Sequence, residues 1–97
     1  QFTALAVNGI KPISIAEGLF INEVSAGLDI GFNLIKPATV KISLLDMTGR
    51  SARILLNNVP VSGKYNETFA TDDLQKGIYI VEIIAGGDRF TRRIILQ

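Results

Sequence analysis

Few of the 97 residues carry side chains that enzymes and metal sites use. The chain has no Cys, His or Trp, which excludes thiol nucleophiles, zinc thiolate sites and imidazole acid–base groups. Asp72-Asp73 is the one adjacent acidic pair. A calcium ion needs about six to eight oxygen ligands, usually from a patterned loop, and no such pattern surrounds this pair. We therefore expect a turn there whose Asp side chains bond to nearby backbone N–H groups, and no catalytic residue, metal site or cofactor.

Three arginines, Arg89, Arg92 and Arg93, form a small basic cluster near the end of the chain. Ten Lys/Arg against nine Asp/Glu give a net charge of +1, which is too balanced for an electrostatic binder of nucleic acid. Glu82 precedes the cluster, and on a neighbouring strand it could pair diagonally with Arg89 and Arg93. Two interpretations stay open, a solvated face and a docking patch for an acidic partner.

Carbohydrate binding is the next candidate chemistry. Such sites usually place exposed aromatic rings against sugars, and here there are five Phe, two Tyr and no Trp. Most of these rings fall on positions predicted to face a core. Phe2, Phe20 and Tyr65 are the least certain.

The elements that carry these residues read as short strands. Gly, Asn and Asp clusters divide the chain into runs of about 5–9 residues, the length of strands. Most runs alternate apolar and polar residues, which buries one face of a sheet. No apolar run is long enough for a transmembrane helix. The pattern predicts an all-β, antiparallel β-sandwich.

Alternation also predicts which side chains face the core. In the middle of the chain it points Val40, Ile42 and Leu44 inward, and likewise Ala52, Ile54 and Leu56. The neighbouring Ser51 and Arg53 would then face solvent, and Asn57-Asn58 would end the second run.

Two turns have specific signals. Asp46-Met47-Thr48-Gly49 fits a type I turn closed by a glycine at positive φ, which makes Asp46 and Gly49 structural residues. Gly86-Gly87 fits a two-residue hairpin turn, whose register places Val81 opposite Arg92.

That register divides the terminal hairpin into two faces. The inward face would hold Tyr79, Val81, Ile83, Phe90, Ile94 and Leu96. Arg92 shares that face, where its guanidinium could reach solvent at the rim. The outward face would hold four isoleucines, namely Ile78, Ile80, Ile84 and Ile95. Either residues 1–18 or a partner should cover them.

Leu74, followed five residues later by Tyr79 at the start of a strand, is similar to the tyrosine corner of Ig-like sandwiches. The Tyr79 hydroxyl would then bond to backbone within residues 70–74. This makes Leu74 and Tyr79 structural residues and places Tyr79 at the start of strand F.

Several blocks, in order, resemble a known family. These are the strand–turn–strand around Asp-Met-Thr-Gly-Arg (residues 46–50), Ser62-Gly63, the Leu74…Gly77-Ile78-Tyr79 block and the final Phe90–Gln97. Together, over roughly residues 19–97, they resemble the C-terminal sorting domain of the type IX (Por) secretion system. The resemblance implies a seven-stranded Ig-like sandwich that the outer-membrane secretion machinery reads as an address. Residues 1–18 would be a linker or leading strand.

The resemblance also implies a non-catalytic protein-transport domain, exported through the periplasm to the cell surface or medium. Its partners would be the secretion machinery and an upstream cargo domain of the same chain. The chain opens without an initiator Met, which we interpret as a piece of a longer protein or a processed product. The matched signal segments, with the basic cluster, predict the partner-recognition residues Gly77, Ile78, Tyr79, Ile80, Arg89, Arg92, Arg93 and Ile95. The alternative is a carbohydrate-binding or spacer Ig-like domain of a secreted glycoside hydrolase.

Overall fold

Seven antiparallel strands make up the computed structural model, which describes residues 16–25 and 27–97. They are β1 Ala16–Val24, β2 Gly27–Leu34, β3 Ala38–Leu45, β4 Ser51–Val61, β5 Lys64–Ala70, β6 Gly77–Ala85 and β7 Asp88–Leu96. Within those ranges no helix is long and apolar enough to cross a bilayer.

The strands form two sheets, ordered β1-β2-β5 and β4-β3-β6-β7. Their facing sides share one apolar core because the period-two pattern turns every second side chain inward. The largest fully buried side chains are Leu28, Ile30, Val40, Ile42, Leu44, Val81 and Ile83. The predicted all-β antiparallel sandwich is confirmed. Strand β4 pairs with β3, so β4 belongs to the same four-stranded sheet as the terminal β6–β7 hairpin.

The β6–β7 hairpin has the predicted register. Val81 pairs with Arg92 and Ile83 with Phe90. Gly86 and Gly87 have φ of 58° and 94°, the two positive values that a type I′ turn requires. The turn chemistry therefore determines which face of this hairpin each side chain occupies.

The predicted faces of β4 were wrong at Ala52, Arg53 and Ile54. Leu56 packs against the core as predicted. Ile54 pairs with the outward Ser43 and is 47% exposed, whereas Arg53 pairs with the fully buried Leu44. The register of β4 on β3 shifts at three places, and each extra residue moves the following side chains to the opposite face. One shift lies at Asn57-Asn58, where Asn58 has φ of 54°. The strand continues through that pair to Val61 instead of ending there.

Strand β1 begins at Ala16, so residues 16–18 belong to the three-stranded sheet, with Ala16 paired to Leu34. The strand lies beside β7 and not over the outward side of the terminal hairpin. The remainder of the predicted linker or leading strand, residues 1–15 with Phe2, lies outside the described residues.

Candidate functional site

The β3–β4 turn is held by one carboxylate. Asp46 Oδ1 accepts hydrogen bonds from the Thr48 hydroxyl at 2.6 Å, the Thr48 N–H at 2.9 Å and the Arg50 N–H at 3.1 Å. Chiefly through the Thr48 hydroxyl, these bonds lower the pKa of Asp46. Gly49 closes the turn at φ of 88°, with its N–H on the Asp46 carbonyl at 2.9 Å. Asp46 and Gly49 therefore form the bulged three-residue hairpin loop that the sequence predicts.

Tyr79 joins β6 to the loop before it. Its side chain is 9% exposed, and its hydroxyl donates to the Gln75 carbonyl at 2.5 Å. The acceptor lies one residue beyond the predicted segment 70–74. Leu74 packs against the core, and its N–H bonds to the Thr71 carbonyl at 3.0 Å. The corner thus fixes where β6 starts.

The acidic pair has a different partner from the one expected. Asp73 receives two hydrogen bonds from the Arg53 guanidinium, at 3.0 and 2.7 Å, and this arginine is the main cause of the lowered pKa of Asp73. The predicted turn is present, and the Asp73 backbone N–H also lowers that pKa, but the side-chain partner Arg53 was not predicted. Arg53 also donates to the Ala70 carbonyl at 3.3 Å, so it ties β4 to the opposite sheet. No three Asp or Glu side chains of the described residues are grouped to hold a metal ion.

The aromatic rings of the described residues contact other parts of the domain. Phe20 covers Gly31, where an added Cβ would lie 2.5 Å from the ring. Tyr65 stacks on Phe32 with ring centroids 5.2 Å apart, and its hydroxyl donates to Glu67 at 2.7 Å. Burial is the first cause of the raised pKa of Tyr65. Every aromatic side chain among residues 16–25 and 27–97 is buried or half-buried.

The outward side of the four-stranded sheet is unusually apolar. Ile78 and Ile95 pair directly across β6 and β7 and are 41% and 50% exposed. Ile80 pairs with Leu45 on one side and Arg93 on the other. We call the following set the outer apolar face: Leu45, Ile54, Ile78, Ile80, Ile84 and Ile95. Alternation alone did not find Leu45 and Ile54, because Leu45 directly follows the inward Leu44 and the β4 bulges hide the outward position of Ile54.

The predicted partner-recognition residues divide between two sides of this sheet. Five lie on the outward side: Ile78, Ile80, Arg89, Arg93 and Ile95. Gly77 is half-buried at the start of β6, and the corner tyrosine next to Ile78 belongs to the core. Arg92 lies on the inward side at an exposed rim position, with its guanidinium 5.8 Å from the centre of the Phe90 ring.

The two arginines beside the outer apolar face, Arg89 and Arg93, differ in their ion pairs. Arg89 binds Glu82 with an N–O distance of 2.5 Å. Arg93, the other residue diagonal to Glu82, forms no ion pair with any residue of the described ranges. Glu23 of β1 accepts the Ile95 N–H at 3.0 Å. This contact spans 72 residues, so no local signal in the sequence predicts it.

An open groove of about 560 Å³ lies where β7 ends. Glu23, Asp72 and Lys76 line it together with Ile95 and Leu96. The matched terminal segment therefore ends in a cleft with charges of both signs.

The fold and its surface define a β-sandwich module with an exposed apolar sheet face. A family model described as the secretion system C-terminal sorting domain matches residues 20–97. The chain belongs to this family, the C-terminal sorting domains of type IX secretion, and such a tail marks an exported protein, secreted or attached to the cell surface. The family is a sorting signal and not a catalytic family. No curated protein and no solved structure matches the chain significantly.

Proposed function

We propose that the outer-membrane secretion machinery recognises this domain through the outer apolar face and its arginines. The cargo would be the polypeptide joined on the N-terminal side, delivered first to the periplasm. The single observation that carries the proposal is the direct pairing of the half-exposed Ile78 and Ile95 beside Arg93. Arg93 has no ion pair among residues 16–25 and 27–97.

Physical chemistry supports an interaction at this place. Contiguous exposed apolar side chains on a small domain mark binding surfaces more often than isolated ones do. Here the isoleucines would supply apolar area, and the flanking Arg93 and Arg89 would orient an acidic partner. Arg89 is already paired with Glu82, so we expect Arg93 to form the main charged contact with the partner.

The test is export of a reporter. The full 97-residue chain is fused behind a reporter with a signal peptide, in a bacterium that has a type IX system. We expect the wild-type fusion to reach the surface or medium, and the double variant Ile78→Asp, Arg93→Glu to stay in the periplasm. Both changes are at exposed positions, so the isolated variant should still unfold cooperatively.

A matched control is available elsewhere on the molecule. Ile35 is 59% exposed and Lys36 is also exposed, and both lie outside the terminal hairpin and the family-matched blocks. Ile35→Asp, Lys36→Glu replaces an isoleucine and a cation with the same change of net charge, and should export normally. Normal export of the hairpin variant, or equal retention of the control, would remove the outer apolar face from the proposal.

The carbohydrate-binding or spacer alternative has no observation in its favour. The described aromatic rings pack against their own domain, and the family match is to a sorting signal.

A further inference from the structure

Among residues 16–25 and 27–97, strand β7 is a regular edge of the four-stranded sheet. The two-residue turn makes Ala85 and Asp88 a hydrogen-bonded pair, so residues 89, 91, 93 and 95 occupy the alternate pairs. In those pairs the N–H and C=O groups of β7 point away from β6. The Glu23 bond to the Ile95 N–H independently confirms this direction for Ile95. Because Arg89, Thr91 and Arg93 alternate with Ile95 along the strand, their N–H and C=O groups also point away from β6.

The other edge of this sheet is protected in a way that β7 is not. Strand β4 has three register shifts and contains Pro60, devices that prevent strand addition. Strand β7 pairs with β6 from Asp88 to Leu96 without a shift and contains no proline. Within residues 16–25 and 27–97, strand β1 touches β7 at few places, and a hydrogen bond joins the two strands at Glu23, near the end of β7.

The charges along β7 determine which kind of strand could pair with its edge. Arg89, Arg92 and Arg93 all have exposed side chains on this strand. Opposite charges on adjacent strands stabilise their pairing and like charges destabilise it. Glu23 already shows a carboxylate docked against this edge. An added strand should therefore carry Asp or Glu at alternate positions.

The same rule disfavours two occupants that the chain itself could supply. Residues 1–15 contain Lys11 and no Asp or Glu. A second copy of β7 would bring arginines against arginines. Neither has the charge that this edge requires, so a separate acidic segment fits best.

We propose that the β7 edge binds an extended acidic segment of a partner protein by strand addition, and that Glu23 covers the end of this edge until the segment binds. The proposal rests on the proposed function only in expecting that the secretion machinery supplies the segment. The backbone of residues 89–93 would provide the hydrogen bonds and Arg93 the charge pairing.

The test uses the full 97-residue protein and a blocked peptide of alternating Glu and Val, with a Lys and Val peptide for comparison. We expect the acidic peptide to bind, and the amide protons of Arg89, Thr91 and Arg93 to gain protection from exchange in NMR spectra. The Lys peptide should not bind. Because this assay requires no export, its failure is distinguishable from failure of the proposed function.

Three variants sharpen the result. Thr91→Pro removes an edge N–H that no strand of the described residues pairs with, and should abolish binding. Arg93→Glu should weaken binding roughly tenfold, the size expected when a cross-strand attraction becomes a repulsion. Arg50→Glu, with the same change of charge far from β7, should bind as wild type. Glu23→Ala should strengthen binding because it uncovers the Ile95 N–H.

Several results would overturn the proposal. They are no binding of the acidic peptide, protection on strands other than β7, undiminished binding by folded Thr91→Pro, or an equal loss in Arg50→Glu. Edge amides that are already protected in the free protein, and become exposed on deletion of residues 1–15 or on dilution, would assign the edge to this chain instead. If Thr91→Pro does not fold, the exchange pattern of the wild type decides.

Discussion

At the scale of single residues, Tyr79 is the side chain whose polar contact contributes most clearly to stability. Its hydroxyl is bonded to the Gln75 carbonyl in a partly buried place. Tyr79→Phe should lower the free energy of unfolding by about 1 kcal/mol or more, because it leaves that acceptor without its partner. Chemical denaturation measures the loss.

Tyr65→Phe is the matched control for that prediction. The Tyr65 hydroxyl bonds to an exposed Glu67 carboxylate, which water can satisfy when the hydroxyl is removed. Its loss should therefore be smaller. Equal losses in the two variants would show that the corner hydrogen bond has no special weight.

Asp46 makes the stability of the β3–β4 turn depend on pH. Its pKa is lowered in the folded state, first by the Thr48 hydroxyl, while an unfolded Asp titrates at about 3.9. The contribution of the charged group is thus fully present above the unfolded pKa and is lost as pH falls through the lower folded pKa. The melting temperature of Asp46→Asn should therefore vary less with pH than wild type across the acid range below about pH 4.

The cause of the shift can be tested directly. Thr48→Ala removes the hydroxyl and should move the pKa of Asp46 back towards its usual range, as followed by NMR titration of the carboxyl carbon. A carboxyl that titrates at the same pH in both proteins would contradict this assignment.

At the scale of elements, the Gly86-Gly87 turn allows a sharp comparison. Gly86 has φ of 58°, in the left-handed region that Asn tolerates, whereas Gly87 at 94° is a glycine position. Gly86→Asn should be neutral or stabilising by about 0.5 kcal/mol, because it restricts the unfolded chain. Gly87→Asn should destabilise. Thermal melts of the two variants decide, and the reverse order would mean that the turn is not type I′.

The hairpin and β4 show what could be predicted from the sequence and what could not. In the hairpin a local signal, two adjacent glycines, determined the register, so the facing of Ile78 and Ile95 could be predicted. In β4 the register depends on bulges formed against β3. No residue type in β4 predicts these bulges, so Ile54 was placed on the wrong face.

The candidate site was predictable to a similar extent. Its isoleucines follow from the hairpin register, and its arginines lie in the same strand. The partners of those groups did not follow, because diagonal geometry allowed Glu82 to pair with Arg89 or Arg93 and the structure forms only the first. Likewise Glu23 reaches Ile95 from β1 only because the two sheets stack.

At the scale of the whole molecule, the low net charge and the outer apolar face both favour self-association. The net charge is only +1, and low net charge with an exposed apolar patch promotes association. Without its partner the domain should therefore self-associate weakly and reversibly at high concentration through the outer apolar face. Added salt should increase association, since it screens the repulsion between the arginines of neighbouring copies.

Light scattering over a concentration series measures this association. Ile78→Asp should reduce it, because it places a charge within the apolar area, and Ile35→Asp, at a more exposed isoleucine outside the face, should have less effect. A wild type that stays monomeric at all concentrations would mean that the outer apolar face is already covered in the free protein. Association that Ile35→Asp weakens as much as Ile78→Asp would place the contact elsewhere. In the first case the surface proposed for recognition during export would not be free in the isolated domain, and in the second it would not be the surface through which copies associate.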